Sequence, residues 1–245
     1  MEDALGVEGK GHRRDGVEQG LHGAAFWGRH RPGGASAWCR PGHPSRGLLR
    51  IKGMSAPQPT PDRRWQWSNV LWTQLAWFAA VLGAAHGVPA WGTLPALAVL
   101  LWHLRRAPRP RSEAVLMLLA AGLGTFADTL VLHQGVLAFA SGQWSAALPP
   151  PWMSALWAVF ATSLNVTLRW LHGRPLLAAA LGAVAGPLAF LSGARLGAAQ
   201  LLEPGVAMAL LSLQWALVLP VLALCARRLD GVAAPAPSAG TTRTP

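Results

Sequence analysis

The chain has 245 residues, 52% hydrophobic and 13% charged, with a mean hydropathy of +0.30. A soluble surface ordinarily needs about a quarter of its residues charged, so composition excludes an ordinary soluble domain. The 21 Lys+Arg against 10 Asp+Glu give a net charge of +11. The arginines fall in short clusters between apolar runs, which argues against a nucleic-acid surface and makes the lipid bilayer the expected partner.

Residues 1–53 hold twelve Gly, nine Lys/Arg and five Asp/Glu, with no long apolar run. Such a segment buries too little surface to offset its ordering entropy and is expected to be disordered. No apolar stretch follows Arg13-Arg14 that could serve as a secretory signal. His12, His22, His30 and His43 match no metal-ligand spacing. Lys10, Ile51 and Lys52 are the only residues of those two types in the chain. From Met54 it reads as an ordinary start, a short polar leader and then Arg63-Arg64 before an apolar segment, so Met54 is a candidate initiator. Cys39 and Cys225 form no paired spacing and are expected as free thiols.

Six apolar stretches follow, each near the ~20 helical residues that cross ~30 Å of hydrocarbon. They run from Ser68 to Ala85, Val88 to Leu104 (with Pro95), Ala114 to Gln134, Trp152 to Leu171, Leu176 to Ala194 (with Pro187) and Val206 to Ala226 (with Pro220). Most lack the polar face that a helix of a soluble core would carry. The expected fold is all-α, a polytopic membrane bundle of about six transmembrane helices over residues 54–230, followed by a disordered tail at 231–245. A β-barrel is excluded because alternating ten-residue segments are absent.

Arginine placement orients the bundle. Arg63-Arg64 precede the first stretch, and Arg105, Arg106, Arg109 and Arg111 follow the second. Arg169 and Arg174 follow the fourth, and Arg227-Arg228 the sixth. The first and third loops carry no Lys or Arg, and the fifth only Arg195. Alternate loops are basic, which predicts both termini cytoplasmic. Trp65, Trp67, Trp91, Trp102, Trp144, Trp152 and Trp170 fall near predicted span ends, as an interfacial belt requires. Trp77, Trp157 and Trp215 lie deeper, as packing residues.

Ionisable groups within spans are costly and mark candidate sites. Asp128 is the one carboxylate expected inside a span, roughly 22 Å along its helix from Glu113 at the cytoplasmic end. Ala121, Gly124 and Gly135 are expected to share its face. Arg195, at the outer end of the fifth span, matches it in depth. An Asp–Arg pair, a protonatable or substrate-binding Asp128, and two residues that do not meet are the three open readings. Thr162, Asn165 and Arg169 form a polar stripe on the fourth span, and Gln74 and Gln214 are expected as other buried amides. His86, His133 and Glu203 are candidate outer-face polar residues, but no spacing fits a metal, and neither a metal nor a cofactor is expected. Gly83-Gly87, Gly182-Gly186 and Gly193-Gly197 read as GxxxG steps for close helix packing. Phosphate loops, nucleophile elbows and paired acid/base carboxylates are absent from the sequence.

The region from Trp67 to Arg228 resembles the bacterial inner-membrane proteins of domain-of-unknown-function family 2878. The resemblance rests on Asn69 and Gln74 leading to Trp77 and Val81-Leu82-Gly83-Ala84-Ala85, then on Asp128, and on Thr162 through Leu168. It continues through Gly186-Pro187-Leu188-Ala189-Phe190 into Gly193-Ala194-Arg195-Leu196-Gly197. It implies a multi-pass protein of a bacterial inner membrane. None of these segments is a catalytic motif.

The leading expectation is a non-enzymatic accessory or carrier of small or lipidic molecules. The alternatives are a membrane-embedded lipid-modifying enzyme using Asp128 and a structural subunit of a membrane complex. A carrier requires a path or groove for its cargo, and an enzyme a pocket around Asp128.

Overall fold

The computed structural model describes residues 61–233. The expectations for the extension, Met54 and Cys39, and for the tail beyond residue 233, lie outside the described residues. Six helices hold most of what is described: α1 (Arg63–Ala85), α2 (Ala90–Arg106), α3 (Pro110–Leu132), α4 (Pro151–Leu164), α5 (Pro175–Arg195) and α6 (Pro204–Arg228). Of these, α3, α5 and α6 are long and apolar enough to cross a membrane.

Local sequence sets the helix ends. The Asp62 carboxylate accepts the Trp65 N–H at 2.7 Å and caps α1. Proline opens α3, α4, α5 and α6, where its missing N–H costs nothing. At the other ends, α1, α3 and α5 stop just before Gly87, Gly135 and Gly197, whose φ values of 73°, 70° and 90° are left-handed. Gly83-Gly87 and Gly193-Gly197 are therefore not packing steps, because the second glycine of each pair terminates its helix. The step Gly182-Gly186 is a real contact: a Cβ on either would lie within 2.4 Å of Trp215 on α6.

Five predicted stretches match helices to within a few residues; the fourth does not. α4 has 14 residues, ~21 Å, and ends at Leu164. Beyond it the Ser163 carbonyl collects the N–H groups of Val166, Thr167 and Leu168, which unwinds the chain into a 3₁₀ turn at Arg169–Leu171. A second departure from expectation is a two-stranded antiparallel sheet, β1 (Leu137–Phe139) and β2 (Ala199–Leu201), in register Leu137↔Leu201. Three-residue strands are too short to show a period-two pattern in sequence.

The helices pack as the pairs α1–α2, α3–α4 and α5–α6. Short α4 is central, packed against α1, α2, α3 and α6. One end of the bundle is rich in arginine: Arg106 stacks over Trp65 at 5.3 Å and over Trp102 at 5.4 Å, joining the start of α1 to the end of α2. The other end carries β1, β2 and the α1–α2 turn, where the Ser141 hydroxyl donates to the Ala84 carbonyl at 2.7 Å. Trp67, Trp91, Trp144 and Trp170 are exposed, but Trp65 and Trp152 are buried packing residues rather than members of a belt. Trp152 donates to the Ser141 carbonyl and packs edge-on against Phe139.

Residues 231–233, placed in the disordered tail by composition, are packed. Val232 and Ala233 are buried, and their N–H groups are both accepted by Asp230 Oδ1. This short strap lies across the arginine-rich end. Next to it, burial and the neighbouring Arg169 hold His172 below the usual histidine range, and its Nε2–H donates to the Leu164 carbonyl.

Gly182→Ala would set a methyl 2.4 Å from the Trp215 carbonyl oxygen, a backbone atom that cannot yield locally. The overpacking cost of ~1–3 kcal/mol exceeds the ~0.5–1 kcal/mol gained from alanine in a helix, so thermal stability in detergent should fall. Gly122→Ala, with nothing within 4 Å, should be neutral or slightly stabilising in the same melt.

Candidate functional site

Among the described residues two carboxylates, not one, are fully buried, and both belong to α3. Asp128 faces α4 and α6: its Oδ2 accepts Trp157 Nε1–H at 2.7 Å and its Oδ1 accepts Gln214 Nε2–H at 2.6 Å. Two N–H donors thus satisfy a buried carboxylate that has no cation beside it. Of the three sequence readings, the Asp–Arg pair is not formed. Arg195 is exposed on the last turn of α5, in a groove on a different side of the bundle.

Glu113 is the second carboxylate, and the sequence reading took it only as a marker of the helix start. Its Oε1 accepts Asn165 Nδ2–H at 2.8 Å and the Gly231 backbone N–H at 2.7 Å, and its Oε2 pairs with His103 Nε2 at 2.9 Å. One side chain thus gathers α2, α3, the turn after α4 and the strap after α6. A Cβ on residue 231 would lie 2.7 Å from Glu113 Cγ, so glycine is needed there. Arg169 pairs with the Asp230 carboxylate, Arg109 donates to the Asp230 carbonyl, and the Arg109 N–H donates to the Gly231 carbonyl at 2.9 Å.

The expected polar stripe on the fourth span divides among three partners. Thr162 accepts from Asn69 Nδ2 at 2.9 Å, Asn165 turns to Glu113, and Arg169 reaches Asp230. Gln214 is buried as expected, whereas Gln74 is exposed and lines the groove. His86, His133 and Glu203 are exposed and do not join Asp128. The His86 ring bonds the Leu82 carbonyl, the His133 ring bonds the Ala147 carbonyl, and Glu203 precedes α6. Cys225 is half-buried and free.

An apolar cavity of about 430 Å³ lies between α4, α5 and α6 with Trp77 of α1 at its edge. Its lining is apolar, dominated by Trp77, Trp152, Trp157, Phe160, Phe190 and Trp215. Trp157 and Trp215 stack at 4.4 Å, and Phe160 meets both edge-on. Gly186 makes this wall possible, because any side chain there would strike the Trp215 ring. A groove of about 750 Å³ between α1 and α5 adjoins the cavity through the shared residues Trp77, Leu156, Phe160, Leu168 and Ala189. Asp128 lines neither space. It sits behind Trp157 and fixes that indole, so it shapes the cavity without facing it.

Asp128→Asn places an amide NH₂ against one of two N–H donors and should cost ~1–3 kcal/mol of stability, read as folded yield and melting temperature. The cost should couple to Gln214→Leu in a double-mutant cycle and add independently to Arg195→Ala. Glu113→Gln should cost as much or more, since Oε1 and Oε2 together accept from three groups, and Gly231→Ala should reproduce much of that loss.

No curated protein and no solved structure matches this chain. A family model does, over residues 66–221, with the description "Protein of unknown function (DUF2878)". That match takes in α1 to α6, including Glu113, Asp128, Asn165 and both cavity tryptophans of the stack. Covering well over half of the chain, it establishes that the protein belongs to the DUF2878 family.

Proposed function

We propose that the protein is a multi-pass protein of a bacterial inner membrane, with six membrane-embedded helices and both termini cytoplasmic. In this reading it is a non-enzymatic accessory or carrier whose ligand is a small apolar or lipidic molecule. Large apolar side chains cover the outside of the bundle, Leu118, Phe126, Leu176, Leu213 and Leu217 among them. Water would not tolerate so continuous an apolar surface, and lipid would. Although α4 is too short to cross ~30 Å alone, its place among four other helices keeps its ends off the lipid. The arginine clusters lie together at one end, which the positive-inside rule assigns to the cytoplasm.

The apolar cavity carries the functional reading. At about 430 Å³ it falls within the size range of small-molecule sites, and its aromatic lining offers area without polar groups for chemistry. The enzyme alternative needs an accessible acid or base. Both Asp128 oxygens are occupied and neither faces the cavity, so nothing favours that reading.

Protein purified in mild detergent should retain a lipidic molecule detectable by native mass spectrometry. Ala189→Trp, which fills the junction of cavity and groove, and Ala185→Phe, which fills the cavity alone, should each lose it. Leu213→Trp, on the exposed face of α6, should keep it. Equal retention by all four proteins would reject the cavity as the binding site.

A further inference from the structure

We propose that the cavity and its adjoining groove form one site for a single-chain lipid with a carboxylate head, and that Arg195 holds the head. This rests on the apolar-ligand reading above and goes beyond it by naming the ligand class and the residue that selects it.

The argument begins with charge. Among the described residues lining the two spaces, Arg195 is the only charged one. It has no carboxylate partner among the described residues, where the only salt bridges are His103–Glu113 and Arg169–Asp230. It is also the one arginine of the described chain on the end of the bundle that carries β1 and β2, away from the arginine clusters, so membrane orientation does not explain it. A guanidinium at the rim of an apolar groove is matched by a planar carboxylate, which it can grip with two parallel hydrogen bonds. A phosphate monoester, carrying nearly two charges, would be under-neutralised by one arginine. A zwitterionic head would bring a cation to a groove that has no acid among its described lining residues.

Length and shape agree. On α5 the cavity lining runs from Leu181 to Gly193, about 18 Å of helix at 1.5 Å per residue, close to one leaflet of a ~30 Å hydrocarbon core. Arg195 lies two residues beyond Gly193, so the charge sits at one end of the apolar channel, as in an amphiphile. Thr73, Gln74, Ser163, Thr167 and Ser192 add neutral hydrogen-bonding groups to the groove, whose other lining residues apart from Arg195 are apolar.

The test uses the full chain in nanodiscs of zwitterionic lipid, with spin-labelled stearic acid and its methyl ester as probes read by electron paramagnetic resonance. Both probes should show an immobilised component, with the acid held about tenfold tighter or more, the fold-change of a charge-assisted pair. Arg195→Gln should abolish the preference while leaving ester binding unchanged, and Arg195→Lys should retain part of it. An acid-to-ester ratio that is unchanged in Arg195→Gln overturns the role of Arg195, even with the cavity occupied. Competition by phosphatidylglycerol as strong as that by unlabelled stearic acid would reassign the site to bulk anionic phospholipid and equally overturn the proposal. If Ala189→Trp and Ala185→Phe leave both probes bound as before, the cavity reading itself fails, which is a separate result.

Discussion

Glu113 sits in an apolar bundle with no lysine or arginine contacting its oxygens, and the structure around it is arranged to supply donors. A buried carboxylate left unmatched would cost more than most single contacts return, so its three partners are obligations of the fold. They come from distant parts of the chain: His103 before it, Asn165 some fifty residues on, and Gly231 after the last helix. Each fixes an end of a helix. α4 stops where Asn165 turns toward Glu113, and the strap crosses the bundle because the Gly231 N–H is held. The same α3 carries Asp128 about 22 Å farther along, where it joins α4 and α6 through Trp157 and Gln214. One helix thus pins the bundle at two depths with hydrogen bonds, and apolar contact fills in between.

That arrangement places the cavity and the groove. With α3 and α4 tied by both carboxylates, and α5 laid closely on α6 through Gly182 and Gly186, the packing deficits fall where α5 meets α4 and α1. The cavity and groove occupy these gaps. Asp128 contributes indirectly, by holding the Trp157 indole so that its face stacks on Trp215 and forms the wall. A carboxylate inside a membrane helix is ordinarily read as a site of chemistry. In this protein its two oxygens are spent on structure, while the one charged residue lining the adjoining groove is Arg195.

Much of the fold was legible in the residues. Apolar runs of bilayer length placed five helices within a few residues, although the glycines that end α1 and α5 read as packing steps. The alternation of arginine-bearing loops matched the gathering of arginines at one end. The fourth helix was misread because hydrophobicity continues through Val166 and Leu168, although hydrogen bonding to Ser163 has already ended the helix. Trp65 and Trp152 looked interfacial because position along a helix says nothing about which way a side chain faces. The site was harder. Glu113 stood just outside the expected third span and served only to mark its cytoplasmic end. Gly231, which tolerates no Cβ beside Glu113, fell within the segment expected to be a disordered tail, so no local signal pointed to this contact.

Composition and the length of apolar runs are local properties, and by themselves they determined that the described chain is mostly helical with apolar helices, where five of the six lie to within a few residues, and which ends carry arginine. Membership of the DUF2878 family was also carried by local segments. Pairing is not local. Whether Asp128 would meet Arg195 or Trp157, whether Glu113 would face water or the interior, and whether Gln74 would be buried depended on how the helices rotate about their axes and which neighbours they choose. A sequence so uniformly rich in Ala, Leu and Gly gives almost no amphipathic bias to fix that rotation. The tertiary structure decided it, through the few polar atoms that had to find one another.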